Sequence, residues 1–257
     1  MSDPRLTPDP ALMSREDAAE ICVPYTDLTR APGGPRDRQL VFGEALTVLY
    51  DSGGHSYVRR ALDGYVGWVP RTDHRALQPS THRVCASATH VYAEPNIKTP
   101  DRYALPFGSQ VAVTEVGEKF AQTEGGFIPA VHLEPIGTLH DDPADIAAIF
   151  LGTPYLWGGN TSWGIDCSGL VQAALLACGI PCPGDSDMQE SLGSPASGPY
   201  KRNDLLFWKG HVALVTDAET LIHANAATMS TTYETIETAI ARIEAQGDGP
   251  VTAHRRL

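Results

Sequence analysis

Cysteine is scarce in this chain and odd in number, five among 257 residues, which sits poorly with a disulfide framework. Cys178 and Cys182 form a C-x3-C pair across "CGIPC". No second pair of ligands stands at a matching spacing, so no metal and no cofactor are expected, and the pair reads as a helix end and its turn. Basic residues are also few, 19 Lys and Arg against 31 Asp and Glu. The resulting net charge of −12 argues against nucleic acid or an anionic membrane as the main partner. No stretch approaches about 18 uninterrupted apolar residues, so no membrane-spanning helix is expected. The opening "MSDPRLTPDPALMSREDAAE" lacks a basic patch followed by an apolar run, so no secretory signal is read there and the expected compartment is the cytoplasm. What the chain does have is 42% hydrophobic residues and a length that permits one large domain or two or three small ones.

Two segments of the first half read alike. "VFGEALTVLYDSGGHSYVRRALDGYVGWVP" (41–70) and "PFGSQVAVTEVGEKFAQTEGGFIPAVHLEPI" (106–136) share an "FG" turn, short alternating strands and glycine turns. That pattern predicts two tandem small β-barrels, with Trp68 and Ile128 at equivalent core positions. The pattern resembles bacterial SH3-like modules. From about residue 140 the character changes. "DDPADIAAIFLGTPYLW" carries a short helix capped by Asp142 or Asp145. Helices come first and strands after, an α+β order. The expected boundaries are an N-terminal extension over 1–19, modules over 20–78 and 79–137, and an α+β domain over 138–257.

Within "GIDCSGLVQAALLACG", Cys167, Leu170, Val171, Ala174, Leu175 and Cys178 follow helical spacing. Gly179 and Pro181 end the helix. Asp166 caps its start, which puts Cys167 in the first turn, where the helix dipole favours thiolate and lowers the thiol pKa. A cysteine merely packed at a helix base gives the same pattern. A cysteine nucleophile needs a histidine base held by a third polar group. "KGHVALVTDAETLIHANA" offers His211 and His223. With "DAET" as a hairpin turn, Ala213 lies opposite His223, and the two histidines become diagonal neighbours about 7 Å apart. A one-residue slip would send them to opposite faces. The remaining histidines read as solvated or structural.

"GTPYLWGGNTSWGIDCSGLVQAAL", "RNDLLFWKGHVALV" and "LIHANA" together resemble the NlpC/P60 cysteine peptidases of bacterial cell walls. The resemblance covers about residues 144–235 and implies a papain-like catalytic domain preceded by two SH3-like barrels. Asn203 stands where that family usually has glycine. The arrangement is similar to a cytoplasmic subgroup that cleaves the γ-D-glutamyl–L-diamino acid bond of short wall peptides. That subgroup requires a free N-terminal L-alanine and acts in wall-peptide recycling. The resemblance implies Cys167 as nucleophile, His211 as base and His223 as its orienter, with the oxyanion met by the Cys167 N–H and the Tyr155 hydroxyl. It implies substrate contacts from Trp157, Asp166, Ser168, Asp185 and Ser186. Glu44 and Tyr65 match positions with which the subgroup closes its pocket. The implied partner is a murein-derived tri- or tetrapeptide. An amidase or acyltransferase acting on other amides or lipids, and a wall-peptide-binding protein with a spent site, are the alternatives. The sequence says nothing of the oligomeric state.

Overall fold

The structure, a computed structural model, describes residues 3–257. The chain divides into two compact units, the first ending at Thr138 and the second beginning at Leu139.

In the first unit, strands β1 (Asp17–Ile21), β2 (Tyr25–Thr29), β3 (Arg36–Val41), β4 (Ala45–Ser52), β5 (His55–Arg60), β6 (Val66–Pro70) and β7 (His74–Ala76) form one sheet in the order β3-β2-β6-β5-β4-β1-β7. After them come β8 (His82–Val84), β9 (Ala88–Tyr92), β10 (Asp101–Pro106), β11 (Gln110–Val111), β12 (Val113–Val116), β13 (Phe120–Thr123), β14 (Gly126–Pro129) and β15 (Leu133–Pro135). These pair as β10-β9-β14-β13-β12 and β11-β8-β15. The repeat seen in the sequence is therefore a repeat of strand pairing. β8 pairs with β11 and β15 as β1 pairs with β4 and β7, and β9 lies between β10 and β14 as β2 lies between β3 and β6. β11 and β12 together stand for β4, interrupted at Ala112.

Trp68 packs with Leu49, Tyr57 and Val66, while Ile128 packs with Val84, Val91, Leu105 and Val111. Each such side chain contributes about 1.5–3 kcal/mol by leaving water. Both "FG" turns need glycine. Gly43 and Gly108 have φ of +76° and +81°, and a Cβ on Gly43 would stand 2.1 Å from the Gln110 carbonyl oxygen. β1 begins at Asp17, so the extension expected over 1–19 gives its last three residues to the sheet.

The second unit runs α1 (Pro143–Ala148), β16 (Asn160–Thr161), β17 (Gly164–Ile165), α2 (Cys167–Ala177), α3 (Ser186–Gln189), β18 (Ser194–Pro195), β19 (Leu205–Trp208), β20 (His211–Val215), β21 (Thr220–Asn225), β22 (Ser230–Thr235), α4 (Ile236–Ala245) and β23 (Ala253–Arg256). The order is α+β, with an antiparallel sheet β18-β23-β19-β20-β21-β22. Asp142 caps α1 by accepting from the Ala144 N–H. Helix α2 stops where its sequence says it should. Gly179, at φ +74°, lets its own N–H and that of Ile180 return to the Leu176 and Leu175 carbonyls. Ile236, Ala239 and Ile243 of α4 cover Leu206, Trp208, Ala213, Val215 and Leu221 of the sheet.

β23 reaches between β18 and β19. It is pinned at Asp204, a buried carboxylate that accepts from His254 Nε2 at 2.6 Å and from Arg256 Nε and Nη2 at 2.8 and 2.6 Å. Burial opposes ionisation of Asp204, but the hydrogen bonds from Arg256 and His254 outweigh it and hold the carboxyl at about 2. Among the described residues no helix is long and apolar enough to cross a membrane.

Candidate active site

Asp166 adopts an extended backbone before α2, and its carboxylate serves two segments. Oδ1 accepts from the Gly169 N–H at 2.7 Å and the Ser168 hydroxyl at 3.1 Å, while Oδ2 accepts from the Gly158 N–H at 2.8 Å. One side chain thus caps the helix and ties "YLWGG" to its first turn. Cys167 is the first residue of α2, as the spacing predicts, and is 6% exposed.

The expected lowering of its thiol pKa is overturned. Burial, reinforced by the Asp166 charge, pushes the thiol up to about 12. The N–H groups of Val212, Ser168 and Cys167 itself pull the other way without prevailing. The helix start supplies its favourable dipole, but loss of water around the sulfur costs the thiolate more. The bond from Val212 places the sulfur against the start of β20, one residue beyond His211.

Tyr155 is half-buried, and its phenol is pushed upward first by burial and then by the charges of Cys167 and Asp166, which places it beside the thiol. Trp157 is exposed. Asp185 occupies the N-cap position of α3 without making a side-chain capping bond, and Ser186 is the first residue of that turn. The loop is tied to α2 by Gln189, whose Nε2 donates to the Ser168 carbonyl at 2.9 Å and to the Pro183 carbonyl at 2.9 Å. Cys167, Tyr155, Asp166 and Ser168 therefore lie close together, and Asp185 and Ser186 lie on a loop fastened to the same helix.

The histidines are set by two successive hairpins. Lys209 and Gly210 make a two-residue turn, with Gly210 at φ +74°, that pairs Trp208 with His211 and brings their rings to 5.7 Å. β20 then pairs with β21 through Leu214↔Ile222 and Val215↔Leu221, a register that continues to Ala213 opposite His223. His211 Nε2 lies 3.0 Å from His223 Nδ1. His223 is fully buried, and its Nε2 lies 3.1 Å from Glu234 Oε2. Glu234 sits diagonally across on β22, where Leu221↔Glu234 and His223↔Thr232 are paired. Arg242 of α4 grips Glu234, Nε to Oε1 at 3.0 Å and Nη2 to Oε2 at 2.7 Å. Burial, aided by the charges of His223 and Arg242, lowers the His211 pKa to about 3. Burial likewise lowers His223 to about 4, against the pull of Glu234.

Glu44 and Tyr65 belong to the first unit. Glu44 accepts from Arg60 Nε and Nη2 at 2.8 and 2.7 Å. Arg60 also donates to Asp63 at 2.9 Å, so two carboxylates share one guanidinium. Tyr65 is buried with Arg38 over its ring, 5.0 Å from the centroid. Among the described residues no group of three or more His, Cys, Asp or Glu is placed to hold a metal ion.

Residues 152–244 match the NlpC/P60 family. A γ-D-glutamyl-L-lysine dipeptidyl-peptidase of Bacillus cereus is 32% identical over 229 residues, covering 76% of this chain and 68% of its own. The chain belongs to the NlpC/P60 family. Residues 28–73 of this NlpC/P60 enzyme match the bacterial dipeptidyl-peptidase Sh3 domain. The γ-D-glutamyl-L-lysine dipeptidyl-peptidase of Bacillus subtilis is 29% identical over 72% of the chain and 71% of its own length. The crystal structure of an NlpC/P60 family protein from Bacillus cereus superposes with a TM-score of 0.79, covering 93% of this chain and 99% of that one at 20% identity. At that identity the likeness speaks to the fold. The NlpC/P60 enzyme described here is a cysteine peptidase, a hydrolase.

Sequence reasoning missed Glu234, Arg242 and the placement of Trp208. Each had a usable signal. The two-residue "KG" turn sets Trp208 against His211. Pairing the run after "HANAATM" with β21 sets Glu234 diagonal to His223, and Arg242 lies two helical turns further on.

Proposed function

We propose that this cysteine peptidase hydrolyses the γ-D-glutamyl–L-diamino acid amide of short murein peptides bearing a free N-terminal L-alanine, in cytoplasmic recycling of wall fragments. The observation that carries this reading is the reach of the similarity. Likeness to γ-D-glutamyl-L-lysine dipeptidyl-peptidases runs over 229 residues, well beyond the 152–244 peptidase segment. We read residues 20–78 and 79–137 as two SH3-like modules and 138–257 as a papain-like catalytic domain.

Cys167 is the nucleophile. Its proton passes to the His211 ring nitrogen that His223 does not engage, as sulfur adds to the γ-carbonyl carbon of the D-glutamyl residue. With the thiol held at about 12 and the imidazole at about 3, the empty site is a neutral thiol–imidazole pair. The oxyanion is met by the Cys167 N–H and the Tyr155 hydroxyl. The tetrahedral adduct expels the diamino-acid amine, which takes the proton from His211 and leaves a thioester. A water molecule then gives its proton to His211, adds to the thioester and releases the dipeptide and the thiol. His223 holds His211 throughout. Trp157, Asp166, Ser168, Asp185 and Ser186 line the substrate, with Asp185 facing its ammonium group, and we assign Glu44 and Tyr65 to substrate on the family resemblance.

The test is turnover of L-Ala-γ-D-Glu-diaminopimelate and of its N-acetylated form, followed by mass spectrometry. A preference of at least about 100-fold for the free amine is expected, from the loss of a buried ammonium–carboxylate contact. Equal turnover of the two peptides would sink the specificity. Undiminished turnover by Cys167→Ala would sink the nucleophile.

A further inference from the structure

The hydrogen-bonded line that begins at His211 continues past the two histidines, and its far end has a fixed polarity. Arg242 supplies donors to both oxygens of Glu234. Its hydrogen bonds hold that carboxyl below the usual carboxylate range, against the opposing effect of burial. Glu234 is then an acceptor only. The nitrogen facing it, His223 Nε2 at 3.1 Å, must carry the hydrogen. A bare Nε2 there would set lone pair against lone pair inside the protein, the arrangement a buried polar contact tolerates least. His223 is neutral at ordinary pH because burial lowers its pKa to about 4, so its Nδ1 is bare. That bare Nδ1 lies 3.0 Å from His211 Nε2, and the single hydrogen between the rings belongs to His211. Neutral His211 then has no hydrogen on its own Nδ1.

We infer that Glu234, clamped by Arg242, is a positioning residue that fixes both histidines as Nε2–H tautomers, so that His211 keeps a bare Nδ1 to receive the Cys167 proton. This rests on the reading of His211 as the base. The opposite polarity, with hydrogens on both Nδ1 atoms, would give the same distance between the rings but leave His211 with no lone pair for the thiol. The histidine pair alone does not choose between the two; the carboxylate does. Each member lies one element further on, β20, β21, β22 and then α4, so the setting is made from the β22 edge of the sheet and the helix beyond it.

The experiment is nitrogen NMR of the full chain labelled in histidine, with turnover measured in parallel. In the unmodified protein at pH 7.5, both His211 and His223 should show the signature of hydrogen on Nε2; hydrogen on Nδ1 of His211 overturns the proposal without any variant. Replacing the pair together, Glu234→Leu with Arg242→Leu, removes the acceptor without stranding the guanidinium. A mixture of tautomers at both rings is expected, with kcat down about tenfold and KM within about twofold, since a mispolarised base leaves ground-state binding intact. An unchanged tautomer signature in a folded double variant overturns the proposal. A mixed signature with unchanged kcat supports the tautomer assignment and overturns His211 as the base.

Discussion

Replacing Asp166 by Asn perturbs the site in two opposite senses. The carboxylate accepts from the Gly169 N–H and Ser168 hydroxyl on Oδ1 and from the Gly158 N–H on Oδ2. Asn caps a helix about as well as Asp, so its oxygen keeps the Oδ1 bonds. Its NH2 group then faces the Gly158 N–H, donor against donor. An N–H left without an acceptor in a protected site costs about 1–3 kcal/mol. A loss of about 2 kcal/mol should lower the melting temperature by several degrees for a unit of this size. The same change removes the charge that, after burial, holds the thiol up. Removing a neighbouring like charge should bring the thiol down by about one pH unit, raising the thiolate fraction at pH 8 about tenfold. Calorimetry reads the first effect. Iodoacetamide labelling against pH, mapped to the Cys167 peptide because Cys22, Cys85 and Cys178 are partly accessible, reads the second. A folded variant whose Cys167 labels no faster than the parent would refute the electrostatic account.

Acid should destabilise the second unit in two separable steps. The neutral His211 and His223, lowered to about 3 and about 4, refuse protons that the unfolded chain accepts below about 6.5. Their stability is complete above that pH and falls as pH drops toward 4, by on the order of 2–3 kcal/mol for His223. Urea midpoints at pH 7.5 and 4.5 that coincide would contradict this. Asp204, depressed to about 2, contributes above its unfolded value near 3.8 and loses that contribution as pH falls further. The size is about 1–2 kcal/mol after solvent screening, and Asp204→Asn should remove this contribution to the loss below about pH 4 while leaving the histidine part in place. In the first unit, Gly43→Ala combines positive φ with a Cβ 2.1 Å from a carbonyl oxygen, whereas Gly108→Ala meets open space. The second should cost about 1 kcal/mol and the first at least twice that, as thermal melts will show; equal costs would mean that the clash relaxes freely.

Local rules made α2 legible. Asp166, the apolar spacing from Cys167 to Cys178 and the Gly179 stop all act within a few residues of one another. The β20–β21 register was legible for the same reason, because a short hairpin leaves few alternatives. The strand repeat of the first unit could be read from its turns. Solvation was not legible. The dipole at Cys167 follows from its position at a helix start, whereas the desolvation that overrides it depends on β20 and the Asp166 loop closing over the sulfur. Glu234 and Arg242 stayed hidden because each requires a further register to be known first. For Asp166 the cap was visible, and its second grip on Gly158 was not.

The placement of β23 also has a consequence for biosynthesis. Its residues fill a slot between β18 and β19, strands made some fifty to sixty residues earlier. A chain emerging from the ribosome must expose residue 256 before β19 gains that neighbour and before Asp204 meets His254 and Arg256. Until then the edge of β19, the strand that pairs with the His211 strand, has open backbone groups. The sheet of the second unit is therefore completed only when β23 closes the open side of β19.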